Sequence, residues 1–287
     1  MESREKQLSV RWRYDAGNGA LIWQLMFIET GDLIGQKRFA VNRRALFFCI
    51  DIMTGKVIRD DYLLMDHHHP VPAGEGWFVG LETTLGSLIY CYAYHSQSPE
   101  HKGIWAIDLR ADKVVWSRPD ISFAANLDHA FLVYQLSVFG GFPERHFLLI
   151  DPFTGEDICP LGLDSPAVNA IRQEVKHEEE RQQVILPEFV TEEMTEECMA
   201  LHRAGITETT RCECIVQGSL TVVALHEQQE LTGLWHSFLK VWSTDSLVYA
   251  DSMEEGVEKP CLNNFLIRSE NLYYLKNKEE LVCVAFS

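Results

Sequence analysis

Basic residues are scarce in this chain. Lys and Arg number 25 against 42 Asp and Glu, a formal net charge of −17 over 287 residues. Nucleic-acid binding depends on Lys and Arg neutralising phosphates, so the balance excludes a nucleic-acid partner from the expectation. It also works against docking on an anionic membrane surface. Long apolar runs are missing too: none approaches the roughly 18–20 residues that span a bilayer as a helix. Met1 to Tyr14 carries charges throughout and has no apolar core segment, so it does not read as a secretory signal. The expected location is cytoplasmic, with no membrane partner.

Signature motifs are equally absent. There is no Gly-x-x-x-x-Gly-Lys loop, no Gly-x-Gly-x-x-Gly opening a helix, no Gly-x-Ser-x-Gly elbow and no His-Glu-x-x-His. The eight cysteines include no Cys-x-x-Cys pair, which removes the common structural zinc pattern. Most sit in apolar runs such as Phe47-Phe48-Cys49-Ile50, where Cys acts as a small hydrophobe. Without an export signal they are expected as reduced thiols. Cys212-Glu213-Cys214 places two thiols on one strand face, which by itself is no metal site.

What is present is a hydrophobic share of 46% and an aromatic share of 11%, enough for a large core and suited to sheets. A degenerate repeat organises it. Phe48 to Ile58, Ile104 to Trp116, Phe147 to Ile158 and, more weakly, Phe238 to Tyr249 each read as apolar strand, polar turn, second strand. Thr54-Gly55 and Thr154-Gly155 supply turn residues tolerant of positive φ. Asp51, Asp108 and Asp151 can accept hydrogen bonds from turn amides, so the repeated Asp is read as structural. Asp51 to Asp108 is 57 residues, Asp108 to Asp151 is 43, and Asp151 to Ser243 is 92, or two units. Units of roughly 40–50 residues with four strands are propeller blades.

The fold class expected is therefore all-β: one β-propeller domain over residues 1–287, with five four-stranded blades, or six if an insertion hides one. Ala20–Glu29 and Asp32–Arg38 precede the first hairpin, Gly76–Thr83 and Gly86–His95 the second, Ile121–Asn126 and Ala130–Phe139 the third, and Cys212–Val216 and Ser219–His226 the fourth. Phe265–Arg268, Asn271–Lys276 and Leu281–Phe286 leave the last blade one strand short. The alternating segment Leu8 to Tyr14 is predicted to complete it, which would remove exposed sheet edges. Residues 164–205 break the pattern. Within them Pro187 to Gly205 reads as a helix capped by Thr191, with Met194, Cys198 and Leu201 as its apolar stripe. Ala167–Val184 reads either as a helix with Pro166 first or as two strands joined at His177–Glu180.

The repeated apolar-Asp-x-x-Thr-Gly-Lys-Val pattern resembles the blade repeats of quinoprotein-like propellers, which implies the fold. The quinone-dependent enzymes of that superfamily are exported, usually eight-bladed, and carry a repeated tryptophan-docking pattern that this chain lacks. No quinone cofactor is expected. Pro99-Glu100-His101-Lys102-Gly103-Ile104-Trp105-Ala106-Ile107-Asp108, with Gly80-Leu81-Glu82 and the strand Ser87–Tyr94, resembles a bacterial family of propellers that forms a domain of unknown function. That likeness implies a propeller and no particular activity.

One concentration of ionisable groups falls on the second blade. Asp66, His67, His68 and His69 lie in its entry loop, Glu82 in its first strand, and His95, His101 and Lys102 in the loop before its third strand. Imidazoles and carboxylates suit a polar ligand, acid–base work near neutral pH or a divalent metal. Glu82 follows Trp77-Phe78-Val79-Gly80-Leu81, so it is expected half-buried and paired with His101 or Lys102. With no catalytic signature, the chain reads as a binding module for a protein or small-molecule partner, with no required cofactor. The alternative is a hydrolase or lyase working through Glu82 and the histidines, with a divalent metal as an option. Convergence of the named groups in one pocket would favour the enzyme.

Overall fold

A computed structural model describes residues 7–66, 69–95, 97–163, 166–191, 201, 212–244 and 246–286. The chain begins with β1 (Ser9–Asp15). A first sheet follows from β2 (Ala20–Phe27), β3 (Asp32–Phe39), β4 (Arg44–Asp51) and β5 (Val57–Tyr62). A second contains β6 (Val79–Leu85), β7 (Leu88–His95), β8 (Ser98–Asp108) and β9 (Lys113–Arg118). A third contains β10 (Ser122–Asn126), β11 (Phe131–Phe139), β12 (Phe142–Ile150) and β13 (Asp157–Leu163). Helices α1 (Pro166–Gln173) and α2 (Glu178–Gln182) lead to the two-residue strands β14 (Val184–Ile185) and β15 (Glu188–Phe189). The chain ends with β16 (Cys212–Gln217), β17 (Leu220–Gln228), β18 (Trp235–Ser243) and β19 (Ser246–Val257), then β20 (Phe265–Arg268), β21 (Asn271–Lys276) and β22 (Glu280–Ala285).

Four of the five sheets are antiparallel meanders in sequence order, the topology of a propeller blade, and in the fifth β14 and β1 flank the β20–β22 meander. The chain forms two compact units, Gly19–Gln182 and a second made of Met1–Asn18 with Gln183–Ser287. The first unit holds the three four-stranded sheets. In the second unit β1 pairs with β22, as the alternation of Leu8 to Tyr14 predicts. Here the structure adds strands that the sequence does not announce: β14 pairs with β20, and β15 with β16, giving two five-stranded sheets.

The repeat has the physics expected of it. Asp51 Oδ1 accepts from the Met53 and Thr54 amides and the Thr54 hydroxyl at 2.9–3.0 Å, and Gly55 turns at φ 71°. Asp151 accepts in the same way from Phe153 and Thr154, before Gly155 at φ 72°. In the copy without glycine, Asp108 accepts from Ala111, and Asp112 takes the left-handed position at φ 56°. These turns also join neighbouring sheets of the first unit. Arg110, in the second repeat's turn, makes a two-pronged bond to Asp32 of β3, both arms at 2.6 Å. The hydroxyl of Tyr90 and the indole N–H of Trp116 both donate to Pro152 O in the third turn. Trp116 lies directly on Gly155, where an added Cβ would come within 2.8 Å of the ring.

The region expected as a helical insertion divides. Pro166 does start a helix, and the charged segment His177–Glu180 leads into α2 instead of a strand turn. Side chains of α2 tie together the first strands of all three sheets of this unit. Gln182 Oε1 accepts from the Phe27 amide of β2, and Glu178 from the Thr83 hydroxyl of β6. Arg181 pairs with Asp128, just beyond β10, and donates to Thr84 O. The helix expected from Pro187 does not begin there. Glu188–Phe189 form β15, and the Val190 amide donates to Cys212 O, because the edge of β16 offers backbone partners that a helix start would leave unused. Met194 and Cys198 lie outside the described residues. Leu201 is buried with Val190, Cys212, Cys214, Val223 and Trp242.

In the second unit Asp251 accepts from Lys276 Nζ at 2.8 Å and from the Tyr274 hydroxyl, with Arg13 at 3.8 Å. Burial pushes its carboxyl up, but the bonds from Lys276 and Tyr274 outweigh that and hold it below its ordinary 3.8. A depressed folded value contributes stability that is present above pH 3.8 and fades as pH falls through the folded value. Asp251→Asn is therefore expected to lower Tm near pH 6 and to cost progressively less as pH falls below 3.8. Paired thermal melts at about pH 6 and about pH 3 check this, and an equal loss at both would contradict it.

Candidate functional site

Three backbone irregularities mark the first unit. The first strand of each sheet carries a bulge, where register shifts between Ile22 and Gln24, between Leu81 and Thr83, and between Phe123 and Ala125. The extra residues are Trp23, Glu82 and Ala124. Bulges re-aim side chains. Neighbouring first strands are fixed by a side chain imitating a strand: Gln24 accepts from Leu81 N at 2.9 Å and donates to Leu81 O at 3.2 Å.

Glu82 is thus held half-buried, its side chain 16% exposed, and its partner is His101: Oε2 stands 2.9 Å from Nδ1. The His101 ring stacks on Tyr92 with centroids 3.4 Å apart and planes 8° from parallel. Tyr92 in turn lies over Gly80, the residue it faces across the ladder, where a Cβ would sit 2.4 Å from the ring. Burial raises the Tyr92 hydroxyl to about 12, with the Glu82 charge adding to it. On the same unit the Arg38 guanidinium lies over two indoles, 5.1 Å from the Trp23 ring centre and 5.2 Å from that of Trp77. It donates to Gln36 and to Val79 O.

Lys102 does not join this group. His101 and Lys102 lie within β8, not in a loop, because the β7–β8 ladder runs out to His95 and Ser98. Adjacent strand residues project to opposite faces. Lys102 pairs across with Ala93 and lines a separate pocket of about 350 Å³, together with Asp66, Glu75, Tyr94 and Trp105. Asp66 shapes the entry: its carboxylate accepts from the His69 amide at 3.0 Å, and its own amide donates to Val71 O. Gly74 and Glu75 form part of one wall, in a segment Gly74-Glu75-Gly76 with φ of 51°, 58° and 72°. Glu75 pays for that left-handed conformation without glycine's freedom, and such strain concentrates at binding sites. Trp105 is 4% exposed, and its indole N–H has no hydrogen-bond acceptor among the described residues. A buried donor left without a partner is costly unless something else satisfies it.

The seven candidates therefore separate. Glu82 and His101 meet, and Asp66 and Lys102 share a pocket on the other face. The described contacts of His69 are made by its backbone: its amide donates to Asp66 and its carbonyl accepts from the Val71 amide. His67 and His68 lie outside the described residues, as does the side chain of His95. No group of three or more His, Cys, Asp or Glu among the described residues is arranged to hold a metal ion.

Sequence reasoning passed over Trp23, Arg38, Glu75 and Trp105. Ala73-Gly74-Glu75-Gly76 was the one local signal, since alternating glycines mark a left-handed turn. It also missed a buried chain in the second unit, where His226 stands 2.9 Å from Ser237 Oγ and 3.1 Å from Glu213 Oε2. The order resembles a nucleophile, base and orienting acid. Ser237 is 1% exposed, however, and Glu213 accepts from the Asn263 amide, so the chain braces the loop before β20 and meets no solvent-borne substrate.

Among solved structures the chain is similar to the Pyrococcus horikoshii acylaminoacyl peptidase, at 12% identity over 92% of this chain and 37% of that one, TM-score 0.31. It is similar to an oligogalacturonate lyase in complex with manganese, at 11% identity over 94% of this chain and 66% of that one, TM-score 0.32. It is also similar to the β-propeller domain of Swd1 from Myceliophteria thermophila, at 10% identity over 98% of this chain and 100% of that one, TM-score 0.33. The chain spans 37% and 66% of the first two proteins. No curated protein matches it. Residues 24–116 match the family described as "Domain of unknown function (DUF4905)", a segment that holds both Glu82 with His101 and the pocket residues Asp66, Glu75, Lys102 and Trp105.

Proposed function

We propose that this chain is a non-catalytic binding module whose pocket at Asp66, Glu75, Lys102 and Trp105 takes a small polar molecule carrying both charges. The observation that carries this reading is a pocket of about 350 Å³ lined by residues of both signs, Lys102 with Asp66 and Glu75, and walled in part by Trp105. Lys102 offers an ammonium for a carboxylate, and Asp66 and Glu75 offer acceptors for an ammonium or hydroxyls. Ala93, Pro72 and Pro119 form the apolar walls that give such pockets their shape.

The wider reading is a cytoplasmic, quinoprotein-like propeller of bacterial type, in which the five sheets act as five blades and no quinone or metal is required. The serial meanders and the Asp-turn repeat support the blade reading. The described cysteines, all free thiols, support a reducing compartment. Neither nucleic acid nor membrane is proposed as a partner, given the charge of −17.

A thermal-shift panel of α-amino acids, sugar acids and polyamines tests the pocket. A zwitterionic member is expected to raise Tm, and Lys102→Glu to weaken its binding at least about ten-fold. Equal stabilisation of both proteins would overturn the assignment. The second reading, a hydrolase or lyase, rests on the 2.9 Å Glu82–His101 contact. It requires Glu82→Gln to abolish turnover or ligand binding, whereas the pocket reading expects that variant to bind as the unaltered protein does.

A further inference from the structure

The β3–β4 hairpin carries a concentration of positive charge that neither the pocket nor the Glu82–His101 pair uses. Lys37, Arg38, Arg43 and Arg44 fall within eight residues that hold no acid, in a chain where acids outnumber bases 42 to 25. Lys37 is buried and matched: Asp60 and Asp61 stand 2.7 and 2.8 Å from its Nζ. The three arginines are not. None of them is within 4 Å of a carboxylate among the described residues. Arginines at other turns of this unit are matched, Arg110 by Asp32, and Arg118 by Asp120 and Asp157.

Two of these arginines are held by rings instead. Arg38 lies over the Trp23 and Trp77 indoles. Its Nε and Nη2 donate to Gln36 Oε1 and Val79 O, which leaves the N–H groups of Nη1 without an acceptor among the described residues. Arg43 lies 5.2 Å over the ring of Phe78, the residue after Trp77, and none of its N–H groups has a described acceptor. Stacking holds the plane of a guanidinium and leaves its edge, the fork that binds oxyanions, open. Arg44 adds a third, exposed charge. Trp23, thrown outward by the β2 bulge, is 62% exposed even with Arg38 on its ring. Two carboxylates belong to the neighbourhood. Glu82 acts with Arg38 on the Tyr92 hydroxyl but is paired with His101, and Glu75 lines the pocket of Lys102.

We propose that this hairpin is an anion site, in which Arg38 and Arg43 take the phosphate of a small phosphate monoester and Trp23 stacks on the ring that the phosphate is esterified to. Two unmatched guanidiniums select a dianion. A carboxylate has two oxygens and one charge, and a single fork satisfies it. A phosphate monoester has three terminal oxygens and a charge near −2 at neutral pH, so it can accept from both forks. The exposed indole offers a flat apolar face to a base or a sugar ring. Net charge limits the size of the ligand: a polyanion would be repelled by a chain at −17, whereas a single phosphate stays within reach of the arginines.

Isothermal titration calorimetry on the full chain at low ionic strength tests this, with adenosine 5′-monophosphate, glucose 6-phosphate, inorganic phosphate and adenosine as probes. At least one monoester is expected to bind saturably, and the tighter of the two tells a base from a sugar as the stacked ring. Inorganic phosphate is expected to bind about ten-fold more weakly, and adenosine not at all. Arg43→Gln should weaken the monoester at least about ten-fold with little change in Tm, because the side chain is exposed and donates no described hydrogen bond. Trp23→Ala should weaken the monoester and leave inorganic phosphate as it was. Lys113→Gln removes the same charge from another turn and should change nothing. No saturable binding of either monoester, inorganic phosphate as tight as both, binding indifferent to Arg43→Gln, or an equal loss in Lys113→Gln would overturn the proposal.

Discussion

Gly35→Ala is expected to destabilise the protein by about 3 kcal/mol or more, the cost of forcing extra volume into a filled core. Gly35 sits mid-strand in β3 opposite Phe48 of β4. The Phe48 ring lies across the glycine, so an added Cβ would fall 1.9 Å from Cζ and within 2.5 Å of both Cε atoms. Phe48 is fully buried, so the ring is held among core side chains and not free in solvent. Either the ring changes rotamer and breaks its packing, or β3 and β4 separate. Urea unfolding measures the loss. A variant within about 0.5 kcal/mol of the parent would show that the ring does not occupy the place described. Gly80 repeats the arrangement one sheet later under Tyr92, so the first unit uses the same glycine-under-aromatic contact in its first two sheets.

Arg110→Ala is expected to cost about 3 kcal/mol, more than the loss of a surface arginine would suggest. The guanidinium is half exposed, but its partner Asp32 is 1% exposed. Removing the arginine leaves a buried carboxylate without that partner. The effect should therefore be partly rescued in Asp32→Asn/Arg110→Ala, where no buried charge is left. A double-mutant cycle by chemical denaturation gives the coupling. A coupling near zero would mean that Asp32 is satisfied without Arg110, and that the second repeat's turn does not brace the first sheet through this pair.

The parts of this fold legible in the sequence are those whose physics is local. Asp51, Asp108 and Asp151 declare their turns because a short carboxylate must meet amides two and three residues on, whatever the rest of the chain does. The alternation of Leu8 to Tyr14 gives β1 for the same reason. β15 was not legible: its two residues are a strand only because β16 presents an open edge to them. The ties from Gln182 to Phe27 and from Glu178 to Thr83 span separations of 155 and 95 residues, which no local pattern reveals.

The candidate site was legible in composition and not in arrangement. Glu82 was expected half-buried beside His101 or Lys102, and the bulge at Glu82 brings it to His101. Grouping His101 with Lys102 failed on strand geometry. The longer β7–β8 ladder makes both of them strand residues, and period-two alternation sends them to different faces. Trp105 was hidden because an indole in an apolar run reads as core. That its N–H has no acceptor among the described residues is a fact of packing alone.

The measurement closest to the central claim is the indole N–H signal of Trp105 in a ¹H–¹⁵N spectrum, assigned with Trp105→Phe and followed as zwitterionic amino acids and sugar acids are added. One ligand class is expected to move this signal to saturation and to be recovered unchanged, and Lys102→Glu to weaken its binding at least about ten-fold. A Trp105 signal indifferent to every class, while Glu82→Gln removes a measurable turnover, would contradict it and place the function at the Glu82–His101 pair.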